Sequence, residues 1–265
     1  MYPILFRLPE WLGHFPVRSF SMMVLIGVLL AGRWAGKRFK QIGIEKDGAL
    51  DEFVFWVLIT GFVGARLTYV AVHPDVYRNI VSLVAVWEGG IVSYGGFFGG
   101  AIGGWFFARK HGVPFARLAD VGLPALSLGQ IFGRIGCLLV GDDHGRPWDG
   151  PWSVTFTGKP ESLIPPELVG VPLHPSQIYL SLMNVVIFSA ALWVWKRRRF
   201  DGQVAGVTML LYALGRFLVE FTRGDDRARG IYGAFSTAQW WSLVTAGLAV
   251  LLLLFMRRRS ESQPA

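Results

Sequence analysis

The chain has 265 residues, of which 52% are hydrophobic and 33 are glycine, and its formal net charge is +8. Its single cysteine, Cys137, excludes a disulfide framework and a cysteine-based metal site. The apolar residues fall into blocks of about 20 residues, the length that crosses a bilayer as a helix. The sequence therefore predicts an all-α integral membrane protein.

Seven candidate transmembrane spans follow one another along the chain, and we expect them to form a single domain over residues 1–265. The predicted spans are Val17–Trp34, Leu50–Val72, Val84–Ala108, Leu118–Val140, Ile178–Trp195, Val204–Phe221 and Ala238–Met256.

Lysine and arginine residues cluster at every second junction between spans. The positive-inside rule assigns such clusters to the cytoplasm, which predicts an N-terminus outside and a cytoplasmic C-terminus. The alternation is typical of a topology signal, so we favour it over nucleic-acid binding. The four clusters are residues 33–40, 109–117, 196–199 and 257–259.

A proline-rich segment, residues 141–173, links the fourth and fifth spans on the predicted outer, periplasmic side. Proline at this density excludes a long helix, and Trp148 and Trp152 suit the headgroup level. We expect a partly ordered cap. Asp142 and Asp143 at its start are a weak pattern for a metal site, and a salt bridge to Arg134 or to a loop arginine is the favoured interpretation.

Charged residues inside apolar spans are costly and need a partner or a function. Arg134 lies near the end of the fourth span, between Gly133 and Gly136, where a helix or a lipid can approach the guanidinium group. The arginine fork suits a phosphate, and a structural arginine bonded to helix-end carbonyls is the alternative. Arg66 has no partner nearby in the sequence, so it either extends outward or bonds another loop.

Arg216, Glu220 and Arg223 are spaced by four and three residues, which predicts that they share one face of the sixth helix. Glu220 could simply neutralise both arginines. However, one carboxylate for two guanidinium groups leaves an excess of positive charge at membrane level. We therefore favour a site for an anionic headgroup.

Two further elements carry polar groups. Six glycines between Trp87 and Gly100 predict a helix break or a close helix crossing, and Tyr94 among them either faces a cavity or bonds a neighbouring backbone. The element His174-Pro175-Ser176-Gln177 opens the fifth span and is suited to a helix cap, with His174 adding a group that titrates near pH 6.5.

In chain order, these motifs resemble those of the bacterial prolipoprotein diacylglyceryl transferase family. No single match is decisive, but the ordered set is specific. The similar segments are Gly64–Leu67, Trp87–Gly90 with Tyr94–Gly96, Gly133–Gly145, His174–Tyr179, Arg216–Arg223 and, more loosely, Ser236–Ser242.

The resemblance implies a multi-pass enzyme of the bacterial cytoplasmic (inner) membrane. It would move the diacylglyceryl group of phosphatidylglycerol to the lipobox cysteine of a lipoprotein precursor and release glycerol phosphate, without cofactor, metal or nucleic acid. Catalytic roles are implied for Arg134, Arg216 and Tyr94. The implied substrate-binding residues are Arg134, Gly136, Asp142, Gly145, His174, Ser176, Gln177, Tyr179, Glu220, Arg223, Arg66 and Gly95.

Several positions depart from the family pattern. Tyr94 stands where the family has histidine, and a tyrosine with a reference pKa near 10 is a poorer base at neutral pH. These departures keep open a second hypothesis, a non-catalytic or altered-specificity phospholipid-binding membrane protein. An anion transporter is less favoured, because no second, inner-facing constellation is found. The other replaced positions are Cys137, Leu138, Val140, Asp142 and Leu180.

Overall fold

A computed structural model provides the structure of the protein and describes residues 1–74, 92–225 and 230–261. Within these ranges seven long helices dominate, and all except α3 are long and apolar enough to cross a membrane. The prediction of an all-α multi-pass membrane protein is confirmed. The helices are α1 (Ser19–Phe39), α2 (Ala49–Val72), α3 (Ser93–Lys110), α4 (Phe115–Val140), α5 (Ser176–Trp195), α6 (Gln203–Val219) and α7 (Thr237–Glu261).

The observed helices begin and end within a few residues of most predicted spans. The third predicted span can be compared only from residue 92 onward, because its first part and the Trp87–Gly90 motif lie outside the described residues. The sixth helix ends earlier than predicted, at Val219, and a 3-10 turn over Glu220–Thr222 follows it. The orientation of the termini stays a prediction.

Large apolar side chains are exposed along the helices, including Leu29 on α1, Val186 on α5 and Phe255 on α7. Contiguous apolar surface of this kind is unfavourable in water. It is the expected surface of helices whose surroundings are lipid hydrocarbon.

Among the described residues, short antiparallel strand pairs occupy three connections. One precedes α1, one lies within the proline-rich segment and one precedes α7. The pairs are β1 (Ile4–Arg7) with β2 (Pro16–Arg18), β3 (Val154–Thr155) with β4 (Pro172–Leu173), and β5 (Ile231–Tyr232) with β6 (Phe235–Ser236).

The proline-rich segment is folded around a small core of its own. Phe156, Ile164 and Leu173 are buried together, and Met1 and Leu138 pack against them. Proline prevents a long helix here but suits short turns, as in the 3-10 turn at Pro166–Leu168. The expected ordering of this segment is confirmed, while its location on the outer side stays a prediction.

The chain forms two compact units, residues 35–121 and residues 1–34 with 122–265. In the smaller unit, α2 and α3 cross closely: a Cβ atom on Gly64 would collide with the backbone of Gly95, and one on Gly99 with the carbonyl of Thr60. Small residues permit such crossings where lipid supplies no hydrophobic force. The predicted close crossing of the glycine-rich region is confirmed.

In the larger unit, α6 packs against both α5 and α7. Ala191 and Val194 of α5 are buried with Val204 of α6. This packing holds the start of α6, and the opposite end of the helix carries Arg216. The single-domain organisation of the whole chain stays a prediction.

Candidate active site

Arg134 is paired with a carboxylate at the end of its own helix. Its Nη1 atom donates to Oδ2 of Asp143, and the arginine side chain is 17% exposed. Asp143 follows the end of α4 in a left-handed backbone conformation (φ +53°), as does Gly141 (φ +82°). Aspartate tolerates this conformation better than most residues. The resulting turn directs the carboxylate back toward Arg134, so the predicted salt bridge is confirmed.

Arg223 binds the other oxygen of the same carboxylate. Its Nη2 atom lies 2.5 Å from Oδ1 of Asp143, and its Nε atom donates to Oδ1 of Asp225 at 2.9 Å. The Nη2 atom also contacts Oδ2 of Asp225. Asp143 therefore bridges two guanidinium groups, one from α4 and one from the chain after α6.

The prediction that Arg223 continues the helical face of Arg216 and Glu220 is wrong. The chain tightens into the 3-10 turn after Val219, where the Thr222 hydroxyl donates to the Val219 carbonyl at 2.8 Å. Arg223 is then extended, with φ −75° and ψ 146°, and forms an isolated β-bridge with Gly145. Leaving the helix brings its guanidinium group to Asp143.

Arg216 and Glu220 remain one helical turn apart and are paired. Nη1 of Arg216 donates to Oε2 of Glu220, which is fully buried. The other Glu220 oxygen accepts a hydrogen bond from the Ser236 hydroxyl at 2.7 Å. Ser236 and Gln239 in turn bond each other's backbone N–H groups, at 3.0 and 3.2 Å, which is a capping box at the start of α7.

The prediction of excess positive charge at this site is wrong for the side chains that the structure describes. Arg134 and Arg223 share Asp143, Arg223 also binds Asp225, and Arg216 binds Glu220. Asp225 was not predicted as a partner, although it lies only two residues after Arg223. The arginines are balanced by carboxylates, and Arg134 and Arg216 keep a small exposed surface of 17% and 14%.

Three arginines act on the Asp143 carboxylate. Burial alone would raise the pKa of Asp143, but Arg223, Arg134 and Arg216 outweigh burial and hold the pKa below its ordinary value. Burial lowers the pKa of Arg223, and Asp225 and Asp143 more than reverse that effect. Partial desolvation and the neighbouring Asp143 carboxylate raise the pKa of Asp142. Asp143 is therefore ionised at neutral pH.

The His-Pro-Ser-Gln element joins the two chain segments that carry the arginines. Pro175 immediately precedes α5, and no side-chain hydrogen bond caps the helix, so the predicted cap is wrong for Ser176 and Gln177, which bond other segments instead. The Ser176 hydroxyl donates to the Thr222 carbonyl at 3.1 Å. The fully buried Gln177 side chain donates from Nε2 to the Asp142 carbonyl at 2.7 Å. The first turn of α5 thus holds the end of α6 and the turn after α4.

Gly145 allows these segments to approach each other closely. A Cβ atom at this position would lie 2.7 Å from Cβ of His174 and 2.8 Å from Oγ of Ser176. On either side of it, Arg146 N–H donates to the Thr222 carbonyl at 2.9 Å and Gly224 N–H donates to the His144 carbonyl at 3.1 Å. A larger residue at position 145 would separate the segments.

An aromatic cluster lies beside this junction. The rings of Trp148 and His174 stack with centroids 4.3 Å apart and planes 7° apart. Tyr179 accepts a hydrogen bond from Nε1 of Trp152 at 2.7 Å, and its hydroxyl lies 3.4 Å from Nδ1 of His174. Burial and Arg146 lower the pKa of His174, so its imidazole is neutral at neutral pH.

Two residues of the Arg134 motif contact protein side chains. A Cβ atom on Gly136 would lie 3.1 Å from Cδ2 of Phe20 on α1, so this glycine allows α1 to approach. Sγ of Cys137 lies 3.8 Å from Oδ2 of Asp143 and donates a weak hydrogen bond to it. The cysteine that replaces a family asparagine thus still contacts the arginine network.

Three predicted site residues lie in the smaller unit. Arg66 is only 2% exposed and lies over the Tyr69 ring, 5.4 Å from its centroid. It therefore has a sequence-local partner, contrary to prediction, in a cation–π contact. Gly95 packs against α2, and Tyr94 is half-buried at the start of α3. Asp120, a fully buried carboxylate on α4, was missed because it lies near the predicted start of its span.

Comparison with known proteins identifies the family. The model of the prolipoprotein diacylglyceryl transferase family matches residues 3–255. This chain belongs to the prolipoprotein diacylglyceryl transferase family. The matched residues include every arginine of the network around Asp143, so the resemblance found in the sequence motifs extends over nearly the whole chain.

Curated relatives agree with this membership of the prolipoprotein diacylglyceryl transferase family, and each is named phosphatidylglycerol–prolipoprotein diacylglyceryl transferase. The Bordetella avium protein is 34% identical over 261 residues, which cover 96% of this chain and 95% of the relative. The Solidesulfovibrio magneticus protein is 34% identical over 263 residues, covering 96% and 94%. The Clostridium tetani protein is 31% identical over 268 residues, covering 98% and 100%.

Proposed function

We propose that this protein transfers the diacylglyceryl group of phosphatidylglycerol to a cysteine thiol of a lipoprotein precursor. The relatives named above support the reaction. The observation that carries the proposal is the convergence of Arg134 and Arg223 on the Asp143 carboxylate, because it places two guanidinium groups around a single anion-sized position, with Arg216 near enough to lower the pKa of that carboxylate.

The chemistry requires positive charge where a phosphate leaves. The cysteine sulfur attacks the glycerol carbon that is bonded to the phosphate oxygen, the C–O bond breaks and a thioether forms. The thiol proton passes to a base, since the thiolate is the nucleophile. The phosphodiester carries one negative charge and the departing glycerol phosphate gains a second. Preorganised donors at the place where charge develops lower the barrier.

Arg134 and Arg216 are suited to bind the leaving phosphate. Each uses one guanidinium nitrogen in its ion pair with a described carboxylate, and each is partly exposed. A guanidinium group has five N–H donors, so further donors remain for a phosphate. Glu220 orients Arg216, and the more deeply buried Arg223 holds Asp143.

The remaining site roles extend this proposal. Tyr94 is assigned to proton transfer, in place of the family histidine. A tyrosine phenol, with a reference pKa near 10, is a poorer base than an imidazole at neutral pH, and this exchange would slow the reaction. The residues assigned to substrate binding are Gly136, Asp142, Gly145, His174, Ser176, Gln177, Tyr179, Glu220, Arg223, Arg66 and Gly95.

The cellular setting follows from the same proposal. The acceptor would be the lipobox cysteine of a precursor held in the bacterial inner membrane, with the N-terminus of the enzyme outside and the C-terminus in the cytoplasm. The arginines that stack on tryptophans near helix ends support interfacial positions: Arg197 lies 4.6 Å from the Trp193 ring centroid and Arg198 lies 3.7 Å from that of Trp195.

A second candidate function is phospholipid binding without transfer. One observation favours it: the carboxylate that Arg134 and Arg223 share has a lowered pKa, which makes it a weak base for a thiol proton. The replacement of the family histidine by Tyr94 points the same way.

Reconstitution with defined substrates tests the two candidates. The purified protein would be given phosphatidylglycerol labelled in its acyl chains and a peptide with a lipobox cysteine, and mass spectrometry would follow the thioether product and glycerol phosphate. A peptide with serine in place of the cysteine is the matched control. The absence of product, where the Bordetella avium relative forms it, would reject the transferase, and retained lipid binding would then support the second candidate.

A further inference from the structure

We propose that Asp143 is a positioning residue that substitutes for the lipid phosphate: its carboxylate holds Arg134 and Arg223 before lipid binds and gives way when the headgroup enters. This inference rests on the proposed function. It assigns a role in the site to Asp143, which was not among the predicted site residues.

The geometry of the carboxylate resembles that of a bound phosphate. Oδ2 of Asp143 accepts from Arg134 while Oδ1 accepts from Arg223 at 2.5 Å, so the two oxygens are divided between two arginines. Carboxylates and phosphates both present several acceptor oxygens to arginine donors. A phosphate that accepts from the same guanidinium nitrogens must therefore take the place of this carboxylate.

The position of Asp143 allows its side chain to leave. Asp143 lies after the end of α4 and its side chain is 23% exposed, so it is not locked into a helix or fully enclosed. Rotation about the side-chain bonds moves the carboxylate without any change in the backbone. The neighbouring Gly145 is held by its backbone bridge to Arg223, and Asp142 by the bond from Gln177.

The two arginines respond differently when the carboxylate leaves. Arg223 keeps its contacts with Asp225 and stays in place. Arg134 makes its described ion pair with Asp143 alone, so it becomes available to the phosphate. The departure of the Asp143 carboxylate thus frees the partly exposed Arg134 for the phosphate. The buried Arg223 stays in place and continues to define the position of the anion.

Competition between the two anions has a measurable consequence. Asp143 is ionised at neutral pH, since the arginines lower its pKa. Replacing it with asparagine keeps the shape and removes the competing charge. Asp143→Asn should therefore bind phosphate-containing ligands more tightly than the natural protein does. Replacing a carboxylate outside the network should change the affinity for these ligands little.

Binding of glycerol phosphate to the full chain in maltoside micelles tests this directly, by calorimetric titration at pH 7. We expect Asp143→Asn to lower the Kd by about 5- to 10-fold, the effect of removing one competing ion pair. Glu161→Gln is the matched control. Glu161 lies in the same proline-rich segment as Asp143 and pairs with Arg7 of β1 at 3.1 Å, so this variant should leave the Kd unchanged. Adding Arg134→Ala to Asp143→Asn should abolish the gain.

A second variant guards against loss of folding. Asp143→Gly removes the carboxylate and suits the left-handed backbone at this position, so the turn should persist. It should tighten glycerol phosphate binding as asparagine does. An unchanged or weaker affinity in a folded variant, confirmed by its unfolding midpoint, would overturn the inference and leave Asp143 as a structural ion-pair residue.

The outcome is separable from that of the proposed function. The binding assay needs no turnover, so tighter binding without any thioether product would sustain the role of Asp143 and reject the transferase. Product formation with unchanged binding would do the reverse. In an active enzyme, Asp143→Asn should also lower the KM for phosphatidylglycerol more than it changes kcat, a split that a purely structural role would not cause.

Discussion

Nη2 of Arg223 lies 2.5 Å from Oδ1 of Asp143, although 80 residues separate the two along the chain. The contact joins the turn after α4 to the turn after α6. Both residues lie just beyond a helix end. Arg134 lies in the last third of α4, and Arg216 lies in the last turn of α6. The candidate site is thus built where two helices stop, and its properties depend on how they stop.

Replacing either candidate phosphate-binding arginine with lysine should impair transfer strongly. Arg134→Lys and Arg216→Lys keep the charge but lose the planar fork of donors. We expect kcat/KM to fall by about 100-fold or more, in line with the loss of one preorganised donor to a developing anion. Arg7→Lys, on an exposed arginine paired with Glu161, is the control and should retain activity. Normal turnover of both lysine variants would contradict the phosphate-binding role.

Glu220→Gln should destabilise the fold. Glu220 is fully buried and binds Arg216 and Ser236, and removing its charge leaves the guanidinium group without a counter-ion. Breaking a buried pair costs about 3–5 kcal/mol. Unfolding midpoints in detergent would measure the loss.

Glu261→Gln provides a control with the same sequence spacing. Glu261 pairs with Arg257 four residues earlier, but both side chains are mostly exposed. An exposed pair contributes about 0.5 kcal/mol or less. Equal effects of the two glutamine variants would show that burial of Glu220 has no energetic consequence.

Gly64→Ala should weaken the crossing of α2 and α3. The added methyl group would overlap the Gly95 carbonyl, and overpacking of this kind costs about 1–3 kcal/mol. Gly100→Ala lies in the same crossing, but its nearest neighbour would be Cγ1 of Val57 at 3.5 Å, an ordinary contact. That variant should be neutral or slightly stabilising, because alanine favours helix. Thermal unfolding of both variants, measured side by side, checks the difference.

The stability contributed by Asp143 should depend on pH in one direction. Its pKa is lower in the folded protein than the ordinary value, because Arg223 and Arg134 outweigh burial. The contribution is therefore complete above an unfolded pKa of about 3.9 and is lost as the pH falls through the folded value. Asp143→Asn should be less stable than the natural protein at pH 7, and the two unfolding midpoints should converge below about pH 4. If the difference between the two unfolding midpoints stayed the same from pH 7 to below pH 4, the ionisation of Asp143 would be excluded as the cause of the stability difference.

Local sequence relationships predicted much of the fold and part of the site. Apolar length located the helices, and the glycine content of the third span predicted a helix break or a close crossing, without identifying α2 as the partner. Arg216 and Glu220 pair because four residues make one helical turn. Asp143 reaches Arg134 because it follows the end of the same helix closely.

The rest depends on relationships that are distant in sequence or on how a helix ends. The prediction that Glu220 and Arg223 share one helical face was wrong because a 3-10 turn follows the end of α6. The contact from Ser236 to Glu220 requires α7 to pack beside α6. No local pattern in the sequence contains that packing, so the second partner of Glu220 could not be predicted.

The backbone on both sides of Gly145 is tied to the chain after α6 by the bonds of Arg146 to Thr222 and of Gly224 to His144. Those amide hydrogens should exchange slowly with solvent whether or not lipid is present. Substrate admission at Asp143 then requires no hinge and no loop displacement, only the swing of a short side chain over a stationary chain. Relatives with another residue at the position of Asp143 would differ in their affinity for the headgroup while keeping the same fold.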